Sequence, residues 1–375
     1  MPVCRIMAKK KIAVLGATGS IGTSALDVIS HDKDNFEIVL LSAHTRKNKL
    51  EELGKQWPNA KLALSGVDLL KSIHESNADL IINGISGAAG LEPSFAAIEA
   101  GAALALANKE TIVMAGQLLL ENAVAKNIPV IPVDSEHSAV FHLLNAHNKE
   151  VINEIILTAS GGPFRDYSVE QMKNISVNDA LAHPTWNMGP KITVDSATMA
   201  NKGLEVIEAA RLFSIKAQNI KVVIHPQSIV HSLIRTTDGT VYASLSIPDM
   251  RLPIKQALYW PQTVSENNQS FTSLSFDSLK LEFYQPDMEK FPMLKLAYYA
   301  LEQDGFYPCV YNSANETAVS AFFSGEICFL DIQRITEYVL LMDWSGKPND
   351  IESVLETHKR AGKEAYVFIQ QIRNK

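Results

Sequence analysis

The sequence predicts an α/β protein that begins with a doubly wound parallel sheet, continues as a mixed α+β unit and ends in helices. Three observations predict this order. Short apolar runs alternate with helical patterns over residues 1–150, as in a parallel sheet covered by helices. Alternating apolar patterns dominate residues 151–261, and amphipathic helical patterns dominate 289–375. The polar, turn-rich segment 262–288 is predicted to be a linker between them.

The first third contains five predicted strands. They are the apolar runs at 11–17, 36–43, 78–85, 102–108 and 128–133. Helical spacing fills the intervals, as in "SIGTSALDVIS" after the first run and "LEPSFAAIEAG" before the fourth. Strands that alternate with helices favour a parallel, doubly wound sheet.

The rest of the chain predicts a different architecture. "NEIILTASGGPF" (153–164) is typical of a strand that enters a Gly-rich loop, and "PKITVDSAT" (190–198) leads into an amphipathic helix. "IKVVIHPQSIVHSLI" and "TVYASLSI" alternate as antiparallel strands do. Four helical patterns follow: "KLAYYALEQDG", "SANETAVSAFFSG", "IQRITEYVLLMD" and "IESVLETHKRAGKEAYVFIQQIR".

The composition indicates the class of protein and excludes some kinds of partner. The 375 residues, 46% hydrophobic and 20% charged, predict a soluble globular protein of two or three domains. A net charge of −7 without a Lys/Arg block argues against nucleic acid as a partner. No apolar stretch is long enough to span a bilayer, so no membrane partner is expected. Three cysteines without a CxxC pair, and an N-terminus without a signal-peptide pattern, predict a cytoplasmic location.

A glycine-rich stretch joins the first predicted strand to the first helix. "GATGSIG" places Gly16, Gly19 and Gly22 at intervals of three residues. Glycines let a backbone turn tightly and approach a pyrophosphate, and the following helix N-terminus offers free N–H groups. The stretch therefore predicts a dinucleotide-binding, Rossmann-like domain, and the alternative is an ordinary Gly-rich turn.

The end of the second strand bears on which nicotinamide cofactor is used. NAD sites usually offer an acid there for the ribose 2′-hydroxyl. Here "SAHTRKNK" has no acid but contains Thr45, Arg46 and Lys47. A 2′-phosphate would be bound favourably beside Arg46, which predicts NADPH. The alternative is a solvated basic loop.

Two acids follow the fifth predicted strand. "VDSEHSA" (133–139) places Asp134 and Glu136, here called the acid pair, on either side of Ser135. In an extended segment their side chains would point the same way and repel. Compensation would come from a cation, a shared proton or a basic neighbour.

A third acid lies in "VDSATMANKGLEVIEA". Helical spacing puts Asn201 and Glu205 on one face, with Lys202 near Glu205. The acid pair and Glu205 make an oxygen-only ligand set of the kind that suits Mg²⁺ or Mn²⁺. The alternative is a set of carboxylates that form salt bridges with Lys109 or Lys202.

Hydroxyl, amide and basic groups recur in the same part of the chain. Ser160 lies in the Gly-rich loop "TASGGPF", and Ser196, Asn201 and Lys202 surround a helix start. These are groups that bind a phosphate monoester. "HPTWNMG" presents His183 and Trp186 among turn formers. His183 alone is more often structural, and Trp186 is either a core residue or part of an apolar lid that excludes water.

The motifs together resemble a known family. "GATGSIG", "NKE" (108–110), "VDSEHSA", "LTASGGPF", "HPTWNMGPKITVDSATMANKGLEVIEA", "HPQSIVHS", "PDMRLPI" and "NSANETAVSAF" occur in this order over nearly the whole chain. They resemble the 1-deoxy-D-xylulose 5-phosphate reductoisomerase family. The resemblance implies an N-terminal NADPH domain, a central catalytic domain, a C-terminal helical domain and a homodimer that acts on a phosphosugar.

The resemblance also implies roles for individual residues. The implied metal ligands are Asp134, Glu136 and Glu205, for Mg²⁺ or Mn²⁺. The implied substrate contacts are Lys109, Ser135, Glu136, Ser160, His183, Ser196, Asn201, Lys202 and Glu205, of which Lys109, Glu136 and His183, together with Trp186, are the catalytic candidates. The implied NADPH contacts are Thr18, Gly19, Ser20, Ile21, His44, Thr45, Arg46, Asn108, Glu110 and Gly189.

One stretch departs from the family pattern. The family often has Gly, a basic residue and Asn after the second strand, whereas "AHTRKN" follows Ser42 here. The sequence disfavours two rival functions. Another NADPH oxidoreductase, such as a semialdehyde dehydrogenase, needs a nucleophilic cysteine, and residues 151–261 contain none. A catalytically dead sensor or scaffold is disfavoured because all three acids are present.

Overall fold

The chain forms two compact units in a computed structural model. Residues 8–182, 185–186, 188–262 and 271–374 are described. The first unit comprises Met1–Asn108, Leu119–Ser138 and Asp249–Thr272, and the second comprises Lys109–Leu118, Ala139–Pro248 and Ser273–Lys375. Among the described helices, none is both long enough and apolar enough to cross a bilayer.

A six-stranded parallel sheet forms the first unit. Its strands are β1 (Lys10–Leu15), β2 (Phe36–Ala43), β3 (Lys61–Leu64), β4 (Leu80–Asn83), β5 (Ala103–Leu106) and β6 (Val130–Pro132), in the order β3-β2-β1-β4-β5-β6. Every neighbouring pair is parallel. The predicted α/β fold with a parallel sheet is confirmed. The sequence missed β3, a short edge strand in which Ala63 is the one buried residue.

Among the described residues, seven α-helices have residues in this unit. They are α1 (Ser20–Ser30), α2 (Lys47–Gln56), α3 (Val67–Glu75), α4 (Leu91–Glu99), α5 (Lys109–Ala125), α6 (Ser135–Ala146) and α11 (Arg251–Tyr259). Both α5 and α6 belong partly to each unit, and α5 is kinked at Ala115. Helices between successive parallel strands are the expected crossover connections.

The "PDMRLPI" motif has a structural role in the first unit. The Asp249 carboxylate accepts hydrogen bonds from the backbone N–H and guanidinium of Arg251. Arg251 also lies 3.2 Å from Asp27 on α1. At the other end of α11, Lys10 Nζ donates to the Leu258 carbonyl at 2.8 Å. By sequence, α11 belongs to the predicted central segment, yet these contacts attach it to α1 and β1.

A four-stranded mixed sheet forms one part of the second unit. Its strands are β7 (Ile152–Ala159), β8 (Ile220–Ile224), β9 (Val230–Thr236) and β10 (Val241–Leu245), in the order β10-β9-β7-β8. The predicted antiparallel pairing is confirmed for β9 with β7 and with β10. It is wrong for β8, which pairs parallel with β7. The helices between β7 and β8 bring the chain back in the same direction, whereas a hairpin would reverse it.

Helices form the rest of the second unit. They are α7 (Val169–Met172), α8 (Val177–Ala180), α9 (Pro190–Thr198), α10 (Ala200–Phe213), α12 (Pro292–Gln303), α13 (Tyr307–Phe323), α14 (Asp331–Leu340) and α15 (Ile351–Arg373). Gly203 lets α10 pack closely, because a Cβ there would lie 2.6 Å from the hydroxyl of the fully buried Tyr311. The helical end predicted from the sequence is confirmed.

The predicted linker is described from residue 271 onward. Its described part contains one isolated bridge, in which Tyr284 pairs with Ile224. His225 reinforces this bridge: its Nδ1 lies 2.9 Å from the Glu282 carbonyl, and its ring stacks on Phe283. The segment is therefore attached to the edge of the second sheet.

Candidate active site

The glycine loop of the first unit is shaped by close backbone contacts. Gly16 has φ +74°, and a Cβ there would lie 2.8 Å from the Gly84 carbonyl oxygen. A Cβ on Gly22 would lie 2.4 Å from the Gly16 carbonyl oxygen. Both positions need glycine if α1 is to begin directly against the loop. Gly19 immediately precedes α1, and no acid lies in the first turn of that helix.

Two cations lie against this loop. The Thr18 carbonyl accepts hydrogen bonds from Arg46 Nη1 at 3.1 Å and from Lys49 Nζ at 3.2 Å. Thr45 and Arg46 are exposed, and the exposed His44 hydrogen-bonds to Ser65. The structure therefore brings Arg46 to the loop that contains Thr18, Gly19, Ser20 and Ile21. Sequence reasoning missed Lys49, although its position three residues after Arg46 was a usable signal.

Asn108 lies at the end of β5 and is 2% exposed. Its amide donates to the carbonyls of Ile85 at 2.6 Å and Gly87 at 2.9 Å. A Cβ on Gly90 would lie 2.6 Å from the Asn108 Cγ. Asn108 thus holds the loop after β4, the strand that pairs with β1.

The acid pair follows β6, but not in an extended segment. β6 ends at Pro132 and α6 begins at Ser135, so the predicted strand-like alternation is wrong there. Asp134 instead acts as a helix cap: its Oδ1 accepts from the Glu136 backbone N–H at 3.2 Å. The helix N-terminus favours negative charge, which offsets the repulsion between the two carboxylates.

Two neighbours of the acid pair are also hydrogen-bonded to it. Ser135 Oγ donates to Glu136 Oε2 at 2.5 Å. His137 is fully buried, with its Nδ1 3.2 Å from Asp134 Oδ1. His137 belongs to the quoted "VDSEHSA" motif, and sequence reasoning assigned it no role. Both contacts restrict the rotamers of the two carboxylates.

A buried ion-pair network forms in the second unit around Glu205. Lys109 Nζ lies 3.1 Å from Glu205 Oε1 and donates to Asn201 Oδ1 at 2.7 Å. Asn201 Nδ2 donates to the same Glu205 oxygen at 2.5 Å, and Lys202 Nζ donates to the other one. The side chain of Glu205 is 1% exposed. Salt bridges to Lys109 and Lys202, the alternative that the sequence left open, are therefore present at Glu205.

This network is suited to an anionic ligand. The ammonium groups of Lys109 and Lys202 and the Asn201 amide are groups that bind anions, and burial strengthens the field of the two charges. Met199 adopts the left-handed conformation, with φ +66°, and separates α9 from α10. Because of that break, Ser196 lies near the end of one helix, α9, and Asn201 lies near the start of another, α10.

The loop after β7 packs directly on α9. Gly162 has φ +68°, and a Cβ there would lie 2.7 Å from the Ser196 carbonyl oxygen. The Gly162 backbone N–H donates to Ser160 Oγ at 3.2 Å. The structure thus brings the Ser160 loop against the helix that carries Ser196, as a shared phosphate site requires.

The "HPTWNMG" segment is described only in part. His183 lies outside the described residues. Trp186 is half-buried, and its ring centroid lies 6.3 Å from that of His231. His231, in the "HPQSIVHS" motif, hydrogen-bonds through Nε2 to Ser246 Oγ at 2.8 Å and was missed by sequence reasoning. Gly189 has an ordinary φ of −63°, and nothing lies within 4 Å of its Cβ position.

Glu110, predicted to contact NADPH, is bound to a residue that the sequence analysis did not single out. Its Oε1 lies 3.2 Å from Lys191 Nζ, which also lies 2.7 Å from Asp195 Oδ2. Burial alone would raise the pKa of Glu110, but the charges of Lys191 and Lys109 and a backbone hydrogen bond together outweigh it and hold that pKa below its ordinary value. The i,i+4 spacing of Lys191 and Asp195 in "PKITVDSAT" was the available signal.

Comparison with known proteins gives one consistent result. Family profiles match at residues 12–66 and 51–116 (1-deoxy-D-xylulose 5-phosphate reductoisomerase), 130–213 (the C-terminal domain of the same enzyme) and 245–364 (DXP reductoisomerase C-terminal domain). A relative from Treponema denticola, named 1-deoxy-D-xylulose 5-phosphate reductoisomerase, is 45% identical over 95% of this chain and 96% of its own.

Two solved structures agree with this match. The 1-deoxy-D-xylulose 5-phosphate reductoisomerase from Zymomonas mobilis in complex with NADPH is 36% identical, with a TM-score of 0.89 over 96% of this chain and 99% of its own. A DOX-P reductoisomerase in complex with NADPH, fosmidomycin and magnesium is 35% identical, with a TM-score of 0.90 over 97% of this chain and 99% of its own.

Proposed function

The chain belongs to the 1-deoxy-D-xylulose 5-phosphate reductoisomerase family, and we propose that it converts 1-deoxy-D-xylulose 5-phosphate to 2-C-methyl-D-erythritol 4-phosphate in non-mevalonate isoprenoid biosynthesis. The reaction rearranges the carbon skeleton and reduces the resulting aldehyde with NADPH. The observation that carries the proposal is the buried Lys109–Asn201–Lys202–Glu205 network, which supplies the amide, ammonium and carboxylate groups that this chemistry needs.

The substrate phosphate is assigned to Ser160, Ser196, Asn201 and Lys202, and the family resemblance adds His183 to this assignment. The close approach of Gly162 to Ser196 supports a shared pocket for the two serines. Lys202 is 3% exposed, and charge-assisted hydrogen bonds from a buried ammonium to a phosphate are strong. Phosphate binding remote from the reacting carbons can be used to orient the rest of the substrate.

Asp134, Glu136 and Glu205 are assigned to a divalent ion, Mg²⁺ or Mn²⁺. The donor set fits, because all three are carboxylates and hard cations prefer oxygen. The rotamers of the acid pair are already restricted by His137 and Ser135. When bound, the ion would supply Lewis acidity to the substrate's ketone and neighbouring hydroxyl.

NADPH is assigned to the first unit, at Thr18, Gly19, Ser20 and Ile21 and at the basic end of β2. The absence of a Cβ at Gly16 and Gly22 keeps the loop compact at the N-terminus of α1, where a pyrophosphate is favoured. Asn108 completes the assignment in this unit. Glu110 and Gly189, which belong to the second unit, are assigned as further NADPH contacts, and the open space around Gly189 is compatible with a ligand that approaches its backbone. NADPH supplies the hydride, and the chain orients it.

The remaining roles belong to side chains near the reacting carbons. Lys109 and Ser135 are assigned to the substrate's oxygens, where Lys109 stabilises developing negative charge. Trp186 is assigned to the exclusion of water from the carbon skeleton. Its half-buried position supports a residue that still has surface to offer a ligand.

The test follows NADPH absorbance with purified protein, 1-deoxy-D-xylulose 5-phosphate and Mg²⁺ or Mn²⁺. Glu205→Gln keeps the size and removes the charge, so it should abolish metal-dependent turnover while NADPH still binds. Glu154→Gln is the matched control, because Glu154 pairs with Arg235 at 3.1 Å on the sheet of the same unit. A wild-type protein that does not oxidise NADPH would refute the function, and full activity after exhaustive chelation would refute the metal.

A homodimer is also part of the proposal. β10 is an edge strand of the second sheet, and Val241 and Tyr242 on it are 43% and 40% exposed. Edge strands with exposed apolar side chains are surfaces on which a second chain can pair. Light scattering should give the mass of a dimer for the wild type and a monomer for Tyr242→Lys, with Tyr366→Lys on α15 as control. A monomeric wild type would contradict the proposal.

The cytoplasmic location remains a prediction from three cysteines without a CxxC pair. Cell fractionation with an antibody to the chain would test it.

A further inference from the structure

A largely buried ionic cluster in the second unit is centred on a lysine to which no role is assigned above. Its centre is Lys191, in the first turn of α9, whose Nζ lies 2.7 Å from Asp195 Oδ2 and 3.2 Å from Glu110 Oε1. The second carboxylate oxygen of Asp195 accepts from Asn315 Nδ2 on α13 at 2.9 Å. These four residues are called the Lys191 cluster. The side chain of Asp195 is 1% exposed.

Each acid of the cluster is the chain neighbour of an assigned substrate residue. Glu110 directly follows Lys109 at the start of α5, and Asp195 directly precedes Ser196 near the end of α9. Backbone positions one residue apart in a helix move together. Lys191 forms ion pairs with both Glu110 and Asp195. Because it fixes the distance between these two acids, it also fixes the distance between their neighbours Lys109 and Ser196.

We infer that Lys191 is a positioning residue, which binds Glu110 and Asp195 together and so holds Lys109 and Ser196 in place for the phosphorylated substrate. The inference rests on the proposed function and deepens it. Lys191 acts through its two acid partners and does not itself contact the substrate. Its test therefore measures substrate and phosphate affinity separately from the stability of the fold.

The charges of the cluster support the same role. Burial alone would lower the pKa of Lys191, but Asp195, Glu110 and Glu316 together raise it above its ordinary value, so the ammonium is charged at neutral pH. Without it, Asp195 and Glu110 would be buried carboxylates that repel a phosphate dianion, and this repulsion is strong in a low-dielectric interior. Lys191 thus neutralises carboxylate charge close to the assigned phosphate site.

The experiment compares Lys191→Met, which keeps the length and removes the charge, with Lys191→Arg. KM for 1-deoxy-D-xylulose 5-phosphate and the affinity for inorganic phosphate, by titration calorimetry, are measured at a temperature where each variant is folded. We expect Lys191→Met to raise KM and weaken phosphate binding by about tenfold or more, as for a misplaced binding group. Lys191→Arg should recover most of both, because it keeps the charge.

A matched control removes another ion pair from the same unit. Arg211 on α10 binds Asp304, and neither residue is assigned to substrate or cofactor. Arg211→Met should lower the melting temperature while KM and phosphate affinity stay at wild-type values. A double-mutant cycle adds the connection to Asp195: Asp195→Asn should cost less in the Lys191→Met background than in the wild type.

The outcomes are separable. If the wild type does not turn over the substrate, the proposed function is rejected. The inference about Lys191 is then still tested by comparing the phosphate affinity of Lys191→Met with that of the wild type. A folded Lys191→Met protein with wild-type KM and phosphate affinity would overturn it. If Lys191→Met does not fold, Asn315→Ala decides, since it loosens Asp195 and leaves Lys191 in place. A raised KM supports the inference, and an unchanged KM rejects it.

Discussion

Arg46 and Lys49 should together determine the preference for NADPH over NADH. Both donate to the Thr18 carbonyl, at 3.1 and 3.2 Å, so both cations lie at the glycine loop. No acid follows β2 to bind a ribose 2′-hydroxyl. Three variants test this: Arg46→Ala and Lys49→Ala, which each remove one cation, and the double variant, which removes both.

The magnitude follows from the redundancy of the two cations. A hydrogen bond to a charged group contributes roughly 1.5–3 kcal/mol when its partner is left unpaired. Arg46 and Lys49 are both exposed, so water screens the pair and values near the lower limit are expected. Arg46→Ala should therefore cost about 1–2 kcal/mol of NADPH binding, or about 5–30-fold. The double variant should cost about 2–3 kcal/mol, because no cation then replaces the lost one.

The assay measures kcat/KM for NADPH and NADH in parallel on all variants. NADH lacks the 2′-phosphate, so its values should not change with Arg46→Ala. Lys47→Ala is the control, because Lys47 pairs with Glu51 at 3.9 Å on the exposed side of α2. Equal losses of kcat/KM for both cofactors would show that the cations stabilise the glycine loop but do not bind the 2′-phosphate. Equal use of both cofactors by the wild type would refute the preference itself.

Three further predictions follow from single residues. Trp186→Ala should lower kcat/KM with little change in melting temperature; a loss of roughly 3–5 kcal/mol of stability with normal kinetics would make it a core residue instead. Gly162→Ala should raise KM for the substrate, because its Cβ would lie 2.7 Å from the Ser196 carbonyl oxygen. Gly239→Ala is the control: at φ +88° with open space around it, it should leave KM unchanged and cost only about 1–2 kcal/mol of stability. Equal KM values in the two variants would contradict this prediction. Burial raises the pKa of Glu316 from 4.5 to about 7, so the folded state binds the proton more tightly. The free energy of unfolding should thus fall by up to roughly 3 kcal/mol as pH rises through that window, and denaturant melts of Glu316→Gln should lack that slope.

Element types in this chain were largely predictable because they depend on local pattern. The β2 run "FEIVLLSA" is an apolar stretch of strand length, and the structure has a strand over the same residues. The helical pattern after the glycine loop corresponds to α1. Predictions failed where the local signal was weak or misleading. β3 is short and mostly exposed, and the acid pair was assigned to an extended segment although Asp134 caps α6.

Pairing between distant residues was less predictable. The repeat of apolar residues in β8 is the same whether its partner runs parallel or antiparallel, so the sequence did not determine its parallel pairing with β7. The sequence placed Lys109 among the possible partners of the carboxylates. It assigned no role to Lys191, because Glu110 and Lys191 are 81 positions apart in the sequence and no local pattern indicates their contact.

The sequence by itself determined the fold class, the glycine loop, the missing acid after β2 and the set of carboxylate, hydroxyl and ammonium groups. These follow from periodicity, turn chemistry and residue type, which act over a few residues. Only the tertiary structure decided that Glu205 lies between Lys109 and Lys202, with Lys109 96 residues away along the chain. It also decided that Lys191 connects α9, which contains Ser196, with α5, which begins at Lys109. The physical reason is that a buried charge is stable only beside a partner, and packing of the whole unit selects which partner that is.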